Sequence, residues 1–229
     1  MNIVDLIIII FILFGAVLGF KRGFTKSLVS ALGFVATVVL AFLLKNPVSV
    51  MLYENLPFFK FGGILKGVTV LNIALYEILA FVIVLAILSV ALKLLLFATS
   101  IFEKVLNATI ILGIPSKILG ALFGIVQNLI YIFIVLYILS LPIFNLGFIK
   151  NSKIANTILD KTPILNKVCD ETLDIFNEII DLREEYKTAT DVNKFNQKAL
   201  NSMIEKRIIT KENAKKLISK GKIKGVIIE

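Results

Sequence analysis

The chain has 229 residues, 58% of them hydrophobic, and a mean hydropathy of +0.92, well above the roughly 45–50% apolar usage of soluble domains, so lipid is the expected solvent for much of it. Formal net charge is +9, but the basic residues flank apolar runs or mix with acids, which points to anionic headgroups and away from nucleic acid. With no His and the single cysteine Cys169, an intrachain disulfide is excluded, the usual zinc ligand sets are missing, and no metal or cofactor is expected.

Only Asp5, Glu54, Glu77 and Glu103 of the acidic residues precede residue 150, whereas the remainder is crowded with Lys, Asp and Glu. The composition therefore predicts an all-α, polytopic membrane helix bundle over residues 1–145, followed by a small helical, solvent-exposed tail over 150–229.

The first span is expected over residues 3–20, long enough to cross a hydrocarbon core that needs roughly 17–25 helical residues. Its basic residues Lys21 and Arg22 follow the apolar run and only Asp5 precedes it, the reverse of a signal peptide. A second span is expected over 24–44, closed by Lys45-Asn46-Pro47 because proline interrupts helical hydrogen bonding. Residues 48–66 mix Tyr53, Phe58, Phe59 and Phe61 with Glu54, Lys60 and Gly62-Gly63, which suits an interfacial segment.

A third span is expected over 72–97. Glu77 and Lys93 lie sixteen positions apart, about 24 Å of helix, so each reaches toward one interface and the uncharged centre crosses the lipid. Residues 101–114 again read as interfacial, with Gly113 and Pro115 as punctuation and Ser116 as the cap of a last span over 117–141.

In the tail, Thr162-Pro163 opens a helix whose stripe includes Leu165, Val168, Thr172, Ile175, Phe176, Ile179 and Tyr186. A second helix is expected from Asp191 with Phe195, Ala199, Leu200 and Met203 inward. A third follows Thr210 with Ala214, Leu217 and Ile218 inward.

The N-terminal flank lacks Lys and Arg, while Lys21 and Arg22 crowd the far end of the first span. The positive-inside rule makes that pair the cytoplasmic anchor, leaving the N-terminus and, with four spans, the tail extracytoplasmic.

Gly15, Gly19 and Gly23 recur every four residues, and Gly120 and Gly124 repeat the spacing, which lets a second backbone approach closely. Two uses follow, ordinary packing inside the bundle or an assembly or gating contact. Asp5, Glu77, Gln127 and Asn128 are the intramembrane polar candidates, able to form interhelical hydrogen bonds or, alternatively, to line a path for a proton or solute. No catalytic residue is singled out: without His, a Ser or Thr nucleophile lacks its usual base, and Gly62-Gly63 has neither the spacing nor the Lys-Ser/Thr of a phosphate loop.

Asp5, Gly15 and Gly19-Phe20-Lys21-Arg22-Gly23-Phe24, together with Leu119-Gly120-Ala121-Leu122-Phe123-Gly124 and the four-span layout, resemble the colicin V production (CvpA) family of bacterial membrane proteins over residues 1–145. Ser116-Lys117 stands where that family commonly has Asp-Arg, and Gln127-Asn128 where it commonly has Arg-Gly. The resemblance implies a non-enzymatic membrane protein in toxin or bacteriocin production or export, or in envelope homeostasis. A small channel or transporter subunit is the alternative.

Overall fold

The computed structural model describes residues 2–62, 66–106, 114–140, 147–162, 177–178 and 192–228. It is all-helical among these residues: α1 (Ile3–Arg22), α2 (Phe24–Asn55), α3 (Leu71–Leu106), α4 (Ile114–Ser140), α5 (Gly147–Lys150), α6 (Lys153–Asp160), α7 (Val192–Glu205) and α8 (Lys211–Ser219). The first four are each long and apolar enough to cross a bilayer. Only 22–33% of their most apolar windows is buried; residues such as Ile10, Leu32, Leu94 and Leu122 point outward, as lipid-facing side chains do.

Contacts group the chain into two compact units, Met1–Leu43 with Ile83–Asn166 and Leu44–Val82 with Lys167–Glu229. This grouping follows tertiary contact and cuts across the compositional change near residue 150.

In the first unit α1 begins with Asn2, whose backbone N–H donates to Asp5 Oδ2 at 2.9 Å, so the first-turn carboxylate satisfies a donor the helix leaves open. It ends at Gly23, whose φ of +78° is accessible to glycine without a Cβ penalty. α1 packs along α4, and α5 and α6 close one end of that pair. Val4, Ile8, Ile132, Leu136, Ile149 and Ala155 form the shared core there.

Three helix limits differ from those read in the sequence, at Pro47, at Ser116 and after residue 97. Pro47 does not close α2, which continues to Asn55; Ser49 and Tyr53, four residues apart on one face, are both buried, and their packing offsets the roughly 3 kcal/mol that an interior proline costs. Residues 48–55 therefore continue α2 as one helix, without the break expected at Pro47. Ser116 does not cap α4, which already begins at Ile114. Its Oγ instead accepts the Phe24 N–H at 3.1 Å, satisfying an open donor at the start of α2. The expected interfacial stretch 101–114 is helical as far as Leu106, and 107–113 lie outside the described residues.

The second unit joins the end of α2 and the start of α3 to α7 and α8. Phe195, Ala199, Leu200 and Met203 on α7, with Ala214 and Leu217 on α8, are buried, and Thr210 caps α8 by accepting the Asn213 N–H at 3.2 Å. Asn196 of α7 accepts from the Thr69 N–H at 3.3 Å and donates to the Gly67 carbonyl at 3.2 Å. Lys222 Nζ donates to the carbonyls of Tyr53 and Leu56 at 2.7 and 2.9 Å, terminal carbonyls of α2. Burial pushes the Lys222 ammonium below its ordinary pKa. The helix expected after Pro163 falls almost wholly outside the described residues.

Candidate functional site

The seam between α1 and α4 is built from backbone. A Cβ placed on Gly15 would stand 2.6 Å from the Gly124 carbonyl oxygen and 2.7 Å from Asn128 Cβ; one on Gly19 or Gly124 would lie 3.0 Å from the other's Cα and closer still to a carbonyl oxygen. Gly120 faces Gly19 and, 2.6 Å from its added Cβ, the carbonyl carbon of Gly23. Four glycines thus meet within one chain, where missing side chains let helices approach to backbone contact. Gly23 serves mainly as the turn.

Polar side chains pin the same seam. Asn128 Nδ2 donates to the Phe11 carbonyl at 2.5 Å, and Ser27 Oγ to the Gly19 carbonyl at 3.2 Å. Gln127 links α4 to α2, accepting from Ser30 Oγ at 3.1 Å while its amide donates to Tyr131 Oη at 3.1 Å. Phe34 packs on Tyr131 with ring centroids 4.1 Å apart. In a lipid setting each such bond is worth about 0.6 kcal/mol, up to about 1.7.

Beside the seam lies a cavity of about 760 Å³ bordered by α1, α2, α3 and α4, within the size range of ligand sites. Gln127, Asn128, Ser27 and Ser30 give it polar walls, Phe11, Phe14 and Leu96 apolar ones, and Arg22, Lys26 and Lys93 positive charge. Lys21, beside Arg22, is exposed and outside the lining.

Asp5 sits at the opposite end of α1, only 4% exposed. Besides the Asn2 N–H, its carboxylate accepts from Ser152 Oγ at 2.5 Å and the Ile154 N–H at 3.1 Å, while Ser152 Oγ caps α6 by accepting from the Ala155 N–H at 3.0 Å. Three donors converge on one carboxylate, a charge-assisted clasp between the start of α1 and the segment after α4.

Glu77 belongs to the second unit. It is buried and paired with Lys45 at 2.6 Å, an arrangement suited to a low-dielectric site because neither charge stands alone. The sequence does not mark Lys45 or Ser152 as a candidate site residue. Only Ser152, directly before an amphipathic run, carried a local signal, that of an N-cap. The described residues contain no group of three or more His, Cys, Asp or Glu able to hold a metal ion.

The description of the colicin V production protein family matches residues 4–163, so the shared region runs past residue 145 and includes α5, α6 and the Asp5 clasp. A relative from Bacillus subtilis (strain 168), named as an uncharacterized transmembrane protein, YshB, is 29% identical over 177 residues, 73% of this chain and 95% of its own. No solved structure matches.

Proposed function

The chain belongs to the colicin V production protein family, and we propose that it is a non-enzymatic protein of the bacterial inner membrane that supports toxin production or export and envelope homeostasis. The observation that carries this reading is the use made of its intramembrane polar groups. Asp5, Gln127, Asn128 and Glu77 each hold a named partner in the fold, an arrangement suited to a fixed scaffold. A reacting group, in contrast, needs a free face toward substrate.

Because Gly15, Gly19, Gly120 and Gly124 meet within one chain, homo-oligomers or complexes with other envelope proteins form through surfaces other than these glycines. The N-terminus and the tail face the extracytoplasmic side, in keeping with Lys21 and Arg22 at the α1–α2 turn. An impermeant thiol reagent tests this at Cys169: labelling in intact cells supports it, and labelling only after lysis reverses it.

The role is tested by deleting the gene in its host and measuring release of a secreted peptide toxin together with detergent sensitivity of the envelope. Loss of either, restored by the wild-type chain, supports the proposal; a deletion strain normal in both refutes it. The cavity favours one second reading, a channel or transporter subunit. It requires a proton or solute flux in proteoliposomes that Gln127→Leu alters, and an absent wild-type flux ends it.

A further inference from the structure

The cavity beside the α1–α4 seam has a one-sided charge. Arg22 and Lys26 border it near the Gly23 turn, Lys93 of α3 joins them, and neither Asp nor Glu is among its lining residues. None of the three cations forms an ion pair among the described residues.

They also stand at two levels. Leu92, next to Lys93, packs so closely on α2 that a Cβ on Gly33 would be 2.8 Å from its Cδ1. Gly33 lies seven residues past Lys26, so Lys93 is rooted roughly 10 Å further along the helix axis than Lys26. Lys93 lies four residues inside the end of its span, where its ammonium reaches toward the headgroups, and an anion drawn in between the two levels is held by positive charge from both sides. The inner wall, with Phe11, Phe34 and Leu96, is apolar and suits hydrocarbon.

We propose that this cavity binds the phosphate head of an anionic membrane lipid, with the phosphate between Lys93 and the Arg22–Lys26 pair and the acyl chains along the aromatic wall. Charge complementarity and the amphipathic lining select this occupant. The inference rests on the bundle geometry and is independent of the toxin or envelope role, so binding and phenotype succeed or fail separately.

The test uses the full chain in neutral detergent, titrated with dioctanoyl phosphatidic acid, dioctanoyl phosphatidylcholine and inorganic phosphate. Phosphatidic acid should bind at least about tenfold more tightly than either alternative, and more weakly as salt rises. Lys93→Gln should weaken that binding about tenfold, Lys93→Arg should restore it, and Lys153→Gln, remote from the cavity, should leave it unchanged. Helicity by circular dichroism identifies a variant that has failed to fold, in which case the wild-type preference and its salt dependence decide. Equal affinity for the two lipids overturns the proposal, as does binding untouched by Lys93→Gln in a folded variant. Inorganic phosphate binding as tightly as phosphatidic acid removes the acyl chains from the site and refutes a lipid occupant.

Discussion

Replacing Gly19 by alanine adds a single carbon at the α1–α4 seam. That Cβ would lie 2.8 Å from the Gly120 carbonyl carbon, 3.0 Å from Gly124 Cα, and nearest of all to the Gly120 carbonyl oxygen. All three atoms are backbone and cannot rotate away, so the helices must separate. A gap opened by 0.5–1 Å forfeits about a quarter to a half of each dispersion contact along the seam. Overpacking costs typically about 1–3 kcal/mol, placed here at the upper end because backbone meets backbone, and alanine returns about 1 kcal/mol of helix propensity. The net expectation is a loss of about 2 kcal/mol, a factor of about 30 in the unfolding equilibrium. Reversible unfolding of the purified chain in mixed micelles, followed by circular dichroism, reads this directly. Gly33→Ala provides a graded comparison, because the obstructing atom is the tip of the Leu92 side chain, which can shift rotamer; its net change should stay within about 1 kcal/mol. Gly147, with nothing within 4 Å of its added Cβ, should tolerate alanine without loss. Wild-type stability in Gly19→Ala, or a fall in oligomeric mass with the monomer equally stable, would refute an intrachain seam.

Three other perturbations probe other parts of the fold. Asp5→Asn removes the charge that three donors share, at a cost of about 1–3 kcal/mol, and should make the segment around Ser152 and Ile154 more susceptible to limited proteolysis than in the wild type; an unchanged cleavage rate contradicts the clasp. Lys45→Met or Glu77→Gln alone leaves one charge buried without the partner seen here and should destabilise by about 3–5 kcal/mol, whereas the double variant should recover much of the loss; strictly additive losses would show the pair to be uncoupled. At Glu178, burial raises the carboxyl pKa, but hydrogen bonds from Lys206 and Ser202 outweigh it and hold the group below the ordinary glutamate value. A depressed folded pKa stabilises above the unfolded value and is lost as pH falls through the folded one. The part of the acid-side stability curve removed by Lys206→Met should therefore lie below about pH 4.5, be small because both groups are more than a third exposed, and shrink in high salt; a change centred near neutral pH contradicts the assignment.

The four spans and the short C-terminal helices could be read from residue order alone, because apolar run length and amphipathic period are properties of one contiguous segment. So could the glycine spacing and the positions of the polar residues within the spans. What each of them meets could not. Asp5 and Ser152 are 147 positions apart, and Gln127 meets Ser30 across 97; such pairs exist only once backbones have been brought together. The same dependence explains two of the helix limits that differ. Pro47 locally signals an end, yet burial of Ser49 and Tyr53 carries α2 onward, and Ser116 locally signals a cap, yet its hydroxyl is taken by the first turn of α2. Residue order by itself determined that this chain carries four segments long and apolar enough to cross a membrane, since the bilayer imposes length and hydrophobicity on each segment separately. Tertiary structure decided which backbones touch, which charges are paired and where three cations surround one cavity, because those depend on the angle and register at which the helices pack.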